Sequence, residues 1–183
     1  MASDAAPLVL RPARMSDWPR LCRIVRTIFA HLEDDEVSYL FRRHHTSTVV
    51  ACRGRAIIGF YQFHPHADPG VAWLNHIGVL PQVRGHGEAD ALMVYFMRQA
   101  KTCGFDSVAL DAYDDNARAH RFYERLGFAR GSLQTHEDGV KWRFVRPLAA
   151  VDPLESAVTP LQPPGRTMRA WRKLAYWTLA RFS

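Results

Sequence analysis

Apolar positions recur along this chain at two spacings, and the places where one gives way to the other predict its elements. Leu8–Arg11 alternates apolar and polar side chains and predicts a short first strand. Ser16-Asp17 offers an N-cap with Pro19 in the first turn, and Leu21, Ile24, Val25, Ile28 and Phe29 follow at helical spacing. A second helix is predicted over 34–43, carrying Val37, Tyr39, Leu40 and Phe41. The β-branched run Thr48–Arg53 and the stretch Ala56–Phe63, turned at Gly54, predict an antiparallel hairpin. The loop His64–Gly70 leads into a strand over Val71–Leu80 that Pro81 ends. Gly85–Cys103 is the longest predicted helix, with Ala89, Leu92, Met93, Phe96 and Ala100 on one face and Gly104 as its stop. Ser107–Ala112 reads as a strand and Asn116–Leu126 as a helix closed by Gly127. Phe128–Gln134 and Val140–Val145 form a last hairpin around Asp138-Gly139.

This order sets the fold class as α/β, or mixed α+β. The strand–helix–strand unit over residues 71–112 implies a right-handed crossover and a parallel pair, while the hairpins are antiparallel, so the sheet is mixed. The pattern dissolves after Pro147. The expected division is a domain over 1–148, a Pro-rich linker over 149–165 and a basic amphipathic helix over 166–183.

Composition changes this picture at three points. The net charge of +6 is uneven: Arg166, Arg169, Arg172, Lys173 and Arg181 lie in the last segment without an acid, leaving 19 basic against 18 acidic residues elsewhere. The high charge therefore describes a tail, and no nucleic-acid partner is expected. Cys22, Cys52 and Cys103 are odd in number and widely spaced, as expected of reduced, buried thiols. The start MASDAAPLVLRP has acid where a signal peptide needs base, and no run of eighteen apolar residues occurs, so a cytoplasmic location is expected.

The chemistry concentrates in Gln82-Val-Arg-Gly-His-Gly87, between a strand and a helix. Two glycines there permit unusual dihedrals and close approach of a ligand. The first N–H groups of the helix lack helical partners, and the dipole adds about half a positive charge. Such a turn suits a phosphate or pyrophosphate, and Arg84 adds a charged donor. The Gly-Lys-Ser/Thr ending of a P-loop is absent, and a dinucleotide fingerprint fails because position 90 is Asp. Farther on, Asn116-Ala-Arg-Ala-His-Arg-Phe-Tyr-Glu-Arg-Leu-Gly-Phe128 places Tyr123 beside Phe122 on a helix, which by itself reads as packing.

Together the two segments resemble the GNAT family of acyl-CoA N-acyltransferases. Val79-Leu-Pro-Gln-Val-Arg-Gly-His-Gly87 matches the family's Gln/Arg-x-x-Gly-x-Gly/Ala loop, and Asn116 with Phe122-Tyr123-Glu124 and Gly127-Phe128 matches its Asn…Phe-Tyr-Glu…Gly-Phe helix; the likeness covers roughly residues 8–147. The resemblance implies acetyl-CoA as cofactor. Gln82, Val83, Arg84, Gly85, His86 and Gly87 would hold its pyrophosphate, Glu88 and Ala89 would be further cofactor-binding positions, and Ile77 and Val79 would pair with its pantetheine arm. Asn116 and Phe122 would line it, and the Val79 N–H would polarise the thioester. Tyr123 would be the general acid, since a phenol with a reference pKa near 10 roughly matches a thiol. Glu88 stands where the family has an aliphatic residue. A carboxylate there suits the helix dipole but would lie near the pyrophosphate and repel it.

The implied reaction is direct attack of a primary amine, on a small molecule or a peptide, upon the thioester. His76, His64 and the run Glu33–Glu36 are candidates for the base, with His76 preferred because its strand should border the thioester. The acidic run would suit a cationic acceptor such as a polyamine, an aminosugar or a lysine-bearing peptide. Of the nine histidines, His44-His45 and His64-Pro-His66 cluster without the spacing of a zinc site, so no metal is expected. In the tail, Met168, Trp171, Leu174, Ala175, Leu179 and Phe182 gather opposite Arg169, Arg172 and Lys173. That face would dock on its own domain, on a second subunit or on an anionic membrane surface. Two alternatives stand beside the enzyme: a catalytically weak acyl-CoA-binding module, which Glu88 favours, and use of another acyl donor.

Overall fold

The structure, a computed structural model, describes residues 6–29, 32, 37 and 47–148. The predicted helix over 34–43 (Val37 apart), the linker 149–165 and the basic helix 166–183 lie outside those residues, as do Glu33–Glu36 and His44-His45. The described elements are β1 (Leu8–Pro12), α1 (Trp18–Ile28), β2 (Thr48–Arg53), β3 (Ala56–Pro65), β4 (Val71–Val79), α2 (Glu88–Thr102), β5 (Ser107–Tyr113), α3 (Ala117–Arg125), β6 (Ala129–His136) and β7 (Gly139–Pro147).

Seven strands form one mixed sheet in the order β1-β2-β3-β4-β5-β7-β6. Every neighbouring pair is antiparallel except β4–β5, which the α2 crossover makes parallel. The strand alternation sorts side chains onto two faces. In β2, Val49 and Ala51 join one core with Leu92, Met93, Phe96, Leu110 and Phe144, while Val50 and Cys52 join another with Leu21, Val25 and Phe60. Helix α1 thus covers one face of the sheet, and α2 with α3 covers the other.

Two local departures from the sequence pattern have simple causes. Asp17 does not cap α1; its carboxylate accepts from the Arg14 N–H at 2.7 Å and pairs with Arg11 on β1 at 2.6 Å, so it ties the turn before the helix to the first strand. Helix α2 begins at Glu88 rather than Gly85, because Pro81–Val83 forms a single 3-10 turn and both loop glycines are left-handed.

Candidate active site

Strands β4 and β5 pair only where Val71, Ala72 and Trp73 meet Ser107, Val108 and Ala109. Beyond that point they part, leaving a gap along Leu74–Val79 on the β5 side among the described residues. The Leu80 N–H donates to Ile58 O of β3 at 2.8 Å, so by strand alternation the Val79 N–H points the other way, into the gap. The Val79 carbonyl agrees, accepting from Arg84 Nε at 3.4 Å. Ile77, two residues back, presents its backbone to the same side.

A bulge decides which side chains face which core. Gln62 pairs with His76 but Phe63 with Leu74, so Asn75 is an extra residue on β4. Ala72 and Leu74 belong to the core under α2, and without the bulge His76 would follow them. With it, Ile77 and Val79 take that side, while His76 stacks edge-on against Phe29 at the end of α1, ring centroids 5.5 Å apart. Gly78 shares the α1 face, where an added Cβ would stand 2.6 Å from Ile28 Cγ2.

The loop after β4 has the features that the sequence suggested for anion binding. Gly85 and Gly87 have φ of +87° and +88°, values that glycine alone adopts without strain, and a Cβ built on either would meet nothing within 4 Å. No side chain caps α2, so its first N–H groups stay available. Val83 packs on the core beside Ala89, Gln82 and His86 are exposed, and Arg84 is held by the Val79 carbonyl.

Glu88 does not project over this loop. Its carboxylate is 2% exposed and turned inward, and Oε1 accepts from Arg53 at the end of β2 at 2.9 Å. The second oxygen, Oε2, is buried without a hydrogen bond. The charge whose repulsion of a phosphate the sequence suggested is therefore offset by a guanidinium. Nothing in the sequence marked Arg53 for this role, because a basic residue ending a strand is usually solvated.

On α3, Asn116 accepts from Ala119 N at 3.0 Å and caps the helix, which leaves its amide NH2 without a partner among the described residues. Tyr123 lies in the same core as Val79, Ile77 and Ala89, its ring against Phe122, Phe128 and Phe144. Its hydroxyl makes no hydrogen bond among the described residues. Burial pushes it well above the ordinary phenol value. The proton is thus held more firmly than the comparison with a free phenol suggests. The ends of α2 and α3 are tied by Arg125 Nη2 and Asp90 Oδ1 at 2.6 Å.

The gap, the glycine loop and the tyrosine helix therefore converge on one face, while His76 lies on the other beside Phe29. His64 faces the far end of β4, opposite Trp73, and is removed from Val79. No group of three or more His, Cys, Asp or Glu side chains among the described residues is arranged to hold a metal ion. None of the described helices is long and apolar enough to cross a membrane.

A gap between parallel neighbours next to a left-handed glycine turn defines the class of protein. Residues 12–128 match the model of the Acetyltransferase (GNAT) family, and the chain belongs to that family. Among curated relatives, it is 34% identical over 94 residues to a mycothiol acetyltransferase of Streptomyces avermitilis, covering 51% of this chain and 29% of that protein. It is 39% identical over 67 residues to one of Parafrankia sp., covering 36% and 21%. The chain thus spans less than a third of the length of these relatives. Among solved structures it is similar in fold to Ard1 from Thermoplasma volcanium, with a TM-score of 0.69 and 22% identity over 78% of this chain and 98% of that one. It is also similar to yncA, a putative acetyltransferase from Salmonella typhimurium with its cofactor acetyl-CoA, with a TM-score of 0.64 and 17% identity over 81% and 99%.

Proposed function

We propose that this chain is an N-acetyltransferase that moves an acetyl group from acetyl-CoA to a primary amine. The observation that carries the reading is the Val79 N–H turned into the gap between β4 and β5, on the same face as the glycine loop and Tyr123. The residues fit the cofactor. The open space over Gly85 and Gly87 with the uncapped N–H groups of α2 would receive the pyrophosphate, and the strand edge at Ile77 and Val79, which β5 does not pair, would receive an amide-bearing arm. Bound acetyl-CoA would supply the activated acyl group as a thioester.

The chain's own groups then divide the work. The Val79 N–H is a preorganised donor for a carbonyl oxygen, which strengthens its hydrogen bond as negative charge develops. Tyr123, protonated throughout the neutral range, holds a proton at its hydroxyl for a departing thiolate. His76 would accept the proton of the amine, directly or through water. It lies on the α1 face, so the acceptor would enter from the side opposite the glycine loop. Pairing of Glu88 with Arg53 supports turnover over a binding-only module, because the charge that favoured the latter is offset.

The test is release of free thiol from acetyl-CoA by the full chain against a panel of small-molecule and peptide amines. Tyr123→Phe should lower kcat by about a hundredfold while CoA still binds. If CoA binds and no amine releases thiol, the binding-module reading replaces this one.

A further inference from the structure

Helix α1 buries Leu21, Ile24 and Val25 against the sheet, and its outer face carries charge of one sign only. Arg20, Arg23 and Arg26 recur there at every third position, all exposed, and the helix contains no acid. Arg20 and Arg23 have no carboxylate partner among the described residues. Asp17, just before the helix, is already taken by Arg11 on β1. In the turn that leads into α1, Arg14 is exposed, and Met15 at 71% is the most exposed large apolar side chain among the described residues.

Such a face does nothing for the fold. Cations one turn apart on a helix repel. Arg20 also stands in the first turn, where the helix dipole disfavours a cation. An extended anionic surface offsets both costs, because it meets the guanidinium groups together. Met15 beside them favours lipid over a polynucleotide. An apolar side chain enters the boundary between headgroups and acyl chains, and gains nothing on a sugar-phosphate backbone.

We propose that the outer face of α1 docks on an anionic lipid surface, and that residues 166–183 join it there. Their sequence repeats the same chemistry, with Arg169, Arg172 and Lys173 opposite Trp171, Leu174, Leu179 and Phe182. On lipid, the apolar side of that segment enters the headgroup boundary while its cations and those of α1 meet the phosphates. A Pro-rich stretch such as 149–165 can extend by about 3.1 Å per residue, roughly 50 Å in all, against a width of about 40 Å for a domain of this size. The tail can therefore reach α1 from the end of β7. The glycine loop lies on the opposite face of the sheet, so a soluble nucleotide still reaches it. The proposal does not depend on the acetyl-CoA reading.

The full chain is sedimented with vesicles of phosphatidylcholine alone and with vesicles that also hold about 30% phosphatidylglycerol. It should bind only the anionic vesicles, and the binding should be lost between about 0.1 M and about 0.5 M salt. Each arginine at the surface is worth about fivefold in affinity, equivalent to about 1 kcal/mol, so Arg20→Gln with Arg23→Gln should weaken binding about twentyfold. Deleting 166–183 should weaken it at least as much. Both arginines are exposed, and circular dichroism checks that each variant is folded as the wild type is. Equal binding to neutral vesicles, binding to neither, or a folded variant of either kind that binds as the wild type does overturns the proposal. Tighter binding to mixed-sequence duplex DNA than to anionic vesicles at equal phosphate concentration overturns it as well.

Discussion

The Arg53–Glu88 pair is unequal, and its asymmetry yields a sharp prediction. Arg53 is 33% exposed and also donates to the Ala6 carbonyl at 3.0 Å, whereas Glu88 is 2% exposed with one oxygen lacking any hydrogen bond. Removing the arginine strands a buried carboxylate, a change that costs about 3–5 kcal/mol when a buried pair loses one partner. Removing the carboxylate leaves a guanidinium that can turn to water. Glu88→Leu should therefore cost less than about 1 kcal/mol, because an apolar side chain of similar volume fills the site. Arg53→Met should cost about 3 kcal/mol, and the double variant should recover most of that loss. Urea denaturation at neutral pH measures all three, with m-values checked for constancy. Equal losses for the two single variants, or additive losses in the double, would refute the reasoning. The same Glu88→Leu protein bears on function: with its charge already offset, its removal should change CoA affinity by less than about threefold, under 0.7 kcal/mol.

Gly78→Ala should destabilise the chain by about 1–3 kcal/mol, since the new methyl meets Ile28 Cγ2 at 2.6 Å, and adding Ile28→Ala should return part of the loss in a double-mutant cycle. His76→Ala should remove the acidic limb of the kcat profile and lower kcat at neutral pH by about a hundredfold; an unchanged rate at saturating acceptor would end its role as base. Burial raises Tyr123, so its acid form persists to higher pH, and wild-type kcat should show no alkaline loss below the ordinary phenol value of 10.0. Asp17 is held below its ordinary value, first by its hydrogen bond to Arg11, so its contribution is present above the unfolded carboxylate range and lost as pH falls through the lower folded value. Asp17→Asn should cost about 2 kcal/mol at pH 7, and the gap to wild type should close at pH values below about 4 on thermal melts.

The strand and helix order was legible because each element advertises a period and a stop. The β-branched run at Thr48, Pro81 after β4 and Gly104 after α2 each mark a boundary that the structure keeps, while positive φ at Gly85 and Gly87 delays the start of α2 by one turn. What the sequence could not display are relations between distant residues. Glu88 appeared as an obstacle because its neighbours in sequence are the phosphate loop, whereas its partner in space is 35 residues away on β2. The extra residue at Asn75 is likewise silent: the run Val71–Val79 contains no Gly or Pro at that point, and the bulge exists only relative to β3.

That bulge is where fold and candidate chemistry meet. A regular β4 would put the His76 side chain under α2, in the core with Leu74, and would send the side chains of Ile77 and Val79 to α1. One inserted residue reverses both. It brings Val79 into the core that holds Tyr123, and it delivers an imidazole to the opposite face beside Phe29. A reaction that takes a proton from an incoming amine and gives one to a departing thiolate needs acceptor and donor on different sides of the carbonyl. The parted strands supply the opening between those sides. On the proposed reading, deleting Asn75 leaves Leu74 opposite Phe63 and His76 opposite Gln62, so His76, Ile77 and Val79 should keep their faces and acetyl transfer should persist; loss of transfer in a folded deletion variant would refute this account of the bulge.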